Sequence, residues 1–134
     1  MIEGIVSAGM TATIVKIYHT ENLAEIAKIS AGYSKTGIGI GIQSKGMVRI
    51  NHVNRDPVDS LEVSFNMPFS NWALYKEIGV NAVSYAKGEK PLKVSNRIKP
   101  GSLSNYELKM IKLSSEDSIF INRSKKPSVM IRVT

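Results

Sequence analysis

The run from Gly37 to Ile42, in which glycine and isoleucine alternate strictly, constrains the fold more than any other feature of the sequence. A period of two places the isoleucines on one face of an extended strand and leaves the other face as bare backbone. Glycine inside a strand is typical of places where another backbone, a bulky neighbour or a partner subunit approaches closely. The run therefore predicts a β-strand, and its glycines form a candidate interface: Gly37, Gly39 and Gly41.

The same run does not match a phosphate-binding loop. A dinucleotide-binding fingerprint needs G-x-G-x-x-G at the start of a helix, and a P-loop ends in G-K-[ST]. Neither pattern is present in Gly37–Ile42.

Strand patterns recur along the rest of the chain. Met47–Val53 is the expected partner of the glycine strand across a turn at 43–46, and Leu61–Met67 alternates apolar and polar residues like a half-buried strand. The last three predicted strands have the spacing of an antiparallel meander. The further strands predicted from these patterns are Thr11–Tyr18, Leu92–Ile98, Tyr106–Leu113, Ile119–Asn122 and Val129–Val133.

Two segments have helical patterns. Thr20–Gly32 predicts a helix with Thr20 as N-cap and Gly32 as the glycine that follows the last turn, although a hairpin with Leu23–Ile29 as its return strand also fits. Ser70–Gly79 predicts a short helix, and Val80–Ala86 fits either strand or helix. We expect one domain over residues 1–134 of the α+β class, predominantly antiparallel β, built as a small sandwich or barrel with one or two short helices.

Composition removes several classes of function. The chain has no cysteine and only two histidines, so it cannot carry a disulfide scaffold, a cysteine-ligated metal or a three-histidine zinc site. Its N-terminal residues include Glu3 where a signal peptide needs basic groups, and no uncharged stretch reaches the length of a membrane helix. These features predict a chain made in the cytoplasm, with no signal peptide and no membrane association.

The positive charge is confined to one part of the sequence. Residues 1–86 contain seven basic and seven acidic side chains, whereas residues 87–134 contain eleven basic and four acidic ones and so carry the whole net charge of +7. Such asymmetry is typical of a surface that faces a polyanion, or of a solvated face that maintains solubility. The candidate polyanion-binding residues are Lys90, Lys93, Arg97, Lys99, Lys125 and Lys126.

No complete catalytic set emerges. His52 lies near Asp56 and Asp59 in sequence, which suggests a general base, and Glu107-Leu108-Lys109 has the E-x-K form found in metal-dependent nucleases. A small basic nuclease built on these residues is a third hypothesis. The sequence predicts no catalytic residue, no metal and no cofactor.

The first hypothesis for function is a non-enzymatic assembly subunit, in its most concrete form a tail or capsid-associated component of a phage or virus. It would pack against copies of itself or other structural proteins through the glycine strand and exposed apolar residues such as Met130, and would be incorporated into the virion. The alternative is a small-barrel nucleic-acid-binding protein that uses the basic C-terminal half.

Overall fold

A computed structural model describes residues 1–43, 46–56, 59–64, 72–92, 97–98, 122 and 124–133, with only the backbone described at positions 72, 97 and 98. Three helices and six strands lie within these residues. In chain order they are α1 (Ile2–Ser7), β1 (Ala12–Lys16), α2 (Leu23–Gly32), β2 (Ile38–Ile42), β3 (Val48–His52), β4 (Glu62–Ser64), α3 (Trp72–Lys87), β5 (Arg97–Ile98) and β6 (Ser128–Val133).

The central sheet has the strand order β2-β3-β4-β5, and each neighbouring pair is antiparallel. The hairpin between β2 and β3 is the one that the glycine–isoleucine run predicts. Its turn closes with the N–H of Gly46 donating to the carbonyl of Gln43 at 2.9 Å, and Gly46 has a φ of 88°, which other residues rarely adopt.

Helices cover both faces of this sheet. The isoleucine face of β2 packs with Val48 and Ile50 against Leu74 and Ile78 of α3, which forms the hydrophobic core. The glycine face lies directly under α2, because a Cβ atom at Gly39 or Gly41 would collide with α2 backbone atoms. The sheet is therefore the middle layer between α2 and α3.

Strand β4 does not have the half-buried character that its sequence predicts. Glu62 and Ser64 are each 1% exposed and Val63 is 2% exposed, so both faces of the strand are buried. The prediction is wrong because α3 covers the face expected to meet water. The predicted residues beyond Ser64 lie outside the described ones.

Helix α2 confirms the helical interpretation of its segment over the hairpin, but it starts later than predicted. Asn22 is its N-cap, and the Asn22 side chain accepts a hydrogen bond from the backbone N–H of Glu25 at 3.2 Å. Thr20 supports this cap by accepting a hydrogen bond from the N–H of Asn22 at 3.1 Å. Gly32 is the last helical residue and Tyr33 is the C-cap, so the predicted capping role of Gly32 is wrong.

Helix α3 is a single helix that runs through Gly79 and the ambiguous segment after it. Gly79 does not end the helix; it provides a close contact with α1, as Gly4 does from the other side. The helix ends before Gly88, whose φ of 70° suits the left-handed conformation that stops a helix. Helix α1 has no counterpart among the sequence predictions.

Strands β1 and β6 pair antiparallel with each other as a two-stranded sheet, which we call the β1–β6 ribbon. A bulge interrupts the register between Ile14 and Val15. The last strand of the predicted meander thus pairs with the first strand of the chain. The predicted strand at 106–113 lies outside the described residues, as does all of the one at 119–122 except Asn122.

The α+β class and the antiparallel pairing are confirmed. In the described residues, however, the sheet is enclosed by helices on both faces, and no barrel closes. No helix in this part of the chain is both long enough and apolar enough to cross a membrane.

Candidate functional site

A buried polar cluster joins β4 to α3. Glu62 faces α3 because it pairs across the sheet with Ile50, a core residue. Asn81 and Tyr85 lie one turn apart on α3 and therefore project toward the same strand. The side-chain N–H groups of Asn81 donate to Glu62 with Nδ2 3.3 Å from both carboxylate oxygens, and the hydroxyl of Tyr85 donates to Oε2 at 3.0 Å.

Asn81 also holds the segment that follows α3. Its Oδ1 accepts a hydrogen bond from the N–H of Leu92 at 2.8 Å, and its Nδ2 donates to the carbonyl of Leu92 at 2.9 Å. The two bonds imitate the pairing of a neighbouring strand. Asn81 is fully buried and Glu62 nearly so, and a buried polar side chain must find its partners within the protein. The cluster therefore connects α3 to β4 and to the segment at Leu92.

The residues of the nuclease hypothesis do not form a site in the described part of the chain. His52 Nδ1 accepts a hydrogen bond from the N–H of Asn54 at 3.0 Å, and Asp59 forms an ion pair with Arg55 at 2.8 Å. Glu107 and Lys109 lie outside the described residues. No group of three potential metal ligands occurs among the described residues.

The glycine interface requires a correction. Gly39 and Gly41 are buried under α2 of the same chain, and Gly37 is buried beside the side chains of His52 and Val53. The close backbone approach that the glycines predict is real, but the approaching element is internal. A partner subunit would have to displace α2 to reach this face.

The candidate polyanion-binding residues do not come together as one described surface. Lys90 is exposed just after α3, and Arg97 has its backbone in β5. Lys125 and Lys126 are exposed just before β6 of the ribbon. Lys93 and Lys99 lie outside the described residues.

The ribbon carries an exposed apolar surface that sequence reasoning recognised only at Met130. Met130 is 62% exposed, and its neighbours Val129 and Ile131 are 45% and 51% exposed. Large hydrophobic residues are normally exposed singly, so three exposed in succession on one strand are unusual. The signal in the sequence is an uninterrupted apolar run, which by itself also fits a buried strand.

Two lysine ammonium groups lie close to the ring of Tyr18, beside this strand. The ammonium groups of Lys125 and Lys16 lie 4.0 Å and 5.3 Å from the centroid of its ring, within the range of cation–π attraction. The Tyr18 hydroxyl also shares a hydrogen bond with Ser128 of β6 at 3.1 Å. The pKa of Tyr18 is lowered chiefly by this hydrogen bond and further by the two lysines, because each stabilises the phenolate.

Comparison with known proteins decides the family. The model of the dehydratase medium subunit family matches residues 1–92, which include α1, α2, α3 and strands β1 to β4. The chain belongs to the dehydratase medium subunit family. Among solved structures, it is similar to a glycerol dehydratase reactivase with a TM-score of 0.56 and 16% sequence identity, over 70% of this chain and 81% of that chain. At this identity, the likeness shows a shared fold.

Membership of the dehydratase medium subunit family overturns the functional hypotheses drawn from the sequence. The chain is not a phage or virus component, and the family places it with the components of an enzyme complex, where a non-enzymatic structural role was expected. The nucleic-acid-binding alternative has no support either. The sequence reasoning failed because it found no short motif of catalytic residues that would have indicated this family.

One part of the partner prediction holds. A medium subunit works in an assembly with other chains, so the expectation of protein partners is confirmed in this general form. The glycine face of β2 is covered by α2 of the same chain at Gly39 and Gly41.

Proposed function

We propose that this chain is a subunit of a dehydratase complex, in which it contributes a folded protein surface to an assembly with larger and smaller chains. The observation that carries the proposal is the family match over residues 1–92, which takes in α2, α3 and most of the sheet between them. The buried polar groups support it, because Glu62, Asn81 and Tyr85 bond to one another and to the backbone.

The test is co-expression with the other dehydratase chains encoded in the same genome. We expect a complex of fixed stoichiometry by light scattering, and dehydratase activity that disappears when this chain is omitted and returns when it is added. Failure to form a complex with those chains would contradict the proposal.

A second candidate is a subunit of a dehydratase reactivase. The fold shared with a glycerol dehydratase reactivase favours it. A reactivase subunit would leave the initial rate of fresh glycerol dehydratase unchanged and would restore activity to enzyme that has lost it. Measuring both quantities with the same protein preparation separates the two candidates.

A further inference from the structure

Strand β6 is almost entirely exposed in the described structure. The five residues 128–132 are all exposed and Val133 is half-buried, so burial does not alternate along the strand. A strand packed on a core through one face would bury every second residue. In the described residues β6 pairs with β1 alone, and a two-stranded ribbon is only marginally stable by itself in water. The exposed side chains of Val129, Met130 and Ile131 are therefore available to a partner.

The ribbon is strongly basic. Lys16, Lys125, Lys126 and Arg132 are exposed on it or just before it. The sequence contains no Asp or Glu in residues 4–20 or 118–134, so neither strand nor its flanking residues supply a negative charge. Lys16 of β1 and Lys125, just before β6, both lie near the ring of Tyr18, which concentrates two ammonium groups at one aromatic side chain.

We propose that the β1–β6 ribbon is the docking element for an acidic protein partner. The partner is a chain of the dehydratase complex whose apolar side chains cover Val129, Met130 and Ile131 and whose carboxylates meet Lys16 and Lys125. This inference rests on the proposed function, since it names the surface by which the subunit joins its complex. It combines the two features of a stable interface, an apolar centre and complementary charge at the rim.

Charge decides against a second copy of the chain as the occupant. Two ribbons brought together would place like charges at contact distance with no acidic residue on either strand to offset them. An acidic partner instead gains Coulomb attraction at the same positions, and its approach is steered by the basic ribbon. Strand β6 lies outside residues 1–92, which match the family model, whereas β1 lies within them.

The test measures the affinity of the full chain for the purified complex of the remaining dehydratase chains, by calorimetry at low and high salt. Ile131→Ser removes an apolar contact and is matched by Ile42→Ser, because Ile131 and Ile42 are 51% and 50% exposed. Lys125→Glu reverses a positive charge next to β6. Its control is Lys35→Glu, because Lys35 is also an exposed lysine and lies in the loop between α2 and β2. Circular dichroism and thermal melting verify that all four variants fold.

We expect Ile131→Ser and Lys125→Glu each to weaken binding by about tenfold or more, as truncation of a central interface residue does. The matched variants should stay within about twofold of wild type, and binding should weaken as salt increases. If the wild type binds and the ribbon variants bind equally well, the docking inference is wrong while the proposed function stands.

Two other results overturn the inference for different reasons. If the wild-type chain does not bind the dehydratase chains at all, the proposed function fails together with the inference that rests on it. If the isolated chain forms a dimer that Ile131→Ser abolishes, the occupant of the ribbon is a second copy.

Discussion

Single residues decide how closely the layers of this protein approach one another. Gly39 lies so near α2 that an added Cβ atom would collide with the backbone N of Ala31 and the carbonyl oxygen of Ala27. Backbone atoms of a helix cannot move aside as a flexible side chain can, so these positions accept no side chain without separation of the layers. Small residues on the facing helix, Ala27 and Ala31, are both completely buried and complete the fit.

Gly39→Ala should lower the free energy of unfolding by about 2–3 kcal/mol, because α2 must shift outward to admit the methyl group. The matched control is Gly32→Ala at the end of α2, where a Cβ atom meets nothing within 4 Å. That substitution should leave stability unchanged or raise it by up to about 1 kcal/mol through helix propensity. Urea denaturation of both variants measures the difference, and equal effects would contradict the packing argument.

Asn81→Ala should destabilise the protein by about 2–4 kcal/mol. The substitution removes both hydrogen bonds to the backbone of Leu92 and a donor to the buried carboxylate of Glu62. Asn54→Ala serves as control, because Asn54 is exposed and a surface change of this kind stays within about 0.5 kcal/mol. Chemical denaturation measures both values, and a loss at Asn81 no larger than at Asn54 would rule out the fastening role of the cluster.

At the scale of elements, α1 depends on a close crossing with α3. Gly4 of α1 lies against the backbone of Lys76 and Val80, and Gly79 of α3 lies against the carbonyl of Met1. The crossing also carries an exposed ion pair between Lys76 and Glu3 at 3.3 Å. An exposed pair contributes little, so the close packing at the two glycines should stabilise the crossing more than the ion pair does.

Gly79→Ala tests this crossing. Alanine favours a helix over glycine by about 1 kcal/mol, yet the collision with the Met1 carbonyl should outweigh this gain and displace α1. Hydrogen exchange should then accelerate in residues 2–8 while β3 remains protected. Ser84→Ala on the same helix is the control and should leave hydrogen exchange in α1 unchanged. If α1 in the Gly79→Ala variant exchanges as slowly as in the wild type, the prediction is wrong.

At the scale of the whole molecule, the two sheets differ in how they are supported. The central sheet has a helix on each face, whereas all residues of β6 except Val133 are exposed. Local opening is easiest where few apolar contacts must be broken. The ribbon is therefore the part of the described structure with the least support from its own chain.

This difference predicts the pattern of hydrogen exchange in the isolated protein. Amides of β1 and β6 should exchange faster than those of β2 and β3, because opening the ribbon exposes little additional apolar surface. On addition of the dehydratase partner chains, protection should rise in the ribbon and stay constant in β2 and β3. If the ribbon amides of the free protein exchange as slowly as those of β3, other parts of the same chain stabilise the ribbon.

Prediction from sequence succeeded where a local pattern favours one structure. The glycine–isoleucine run and the turn after it gave the β2–β3 hairpin, and the helical pattern before it gave α2. It failed at Glu62, where alternation places the carboxylate in water and the structure buries it against Asn81. Alternation reports which residues share a face, but it does not report whether a helix from elsewhere in the chain covers that face.

For the candidate site, too, the sequence predicted local features but not which distant segments meet. The glycine face was predicted as a place of close approach, and it is one, but the approaching element is α2 rather than a partner. The basic residues were recognised as a group, whereas the position of Lys125 beside Lys16 and Tyr18 follows from the pairing of β6 with β1. That pairing joins the two ends of the chain, and no sequence pattern specifies contacts at such a separation.

By itself, the sequence determined the α+β class, the antiparallel hairpin, helix α2 and the positive charge of the C-terminal part, because backbone geometry and side-chain periodicity are local properties. Only the tertiary structure decided which faces are covered, that Asn81 fastens Leu92 and Glu62, and that β6 leaves Val129, Met130 and Ile131 exposed. Burial depends on which distant segments pack together, and their packing is set by the free energy of the whole molecule rather than by any one segment.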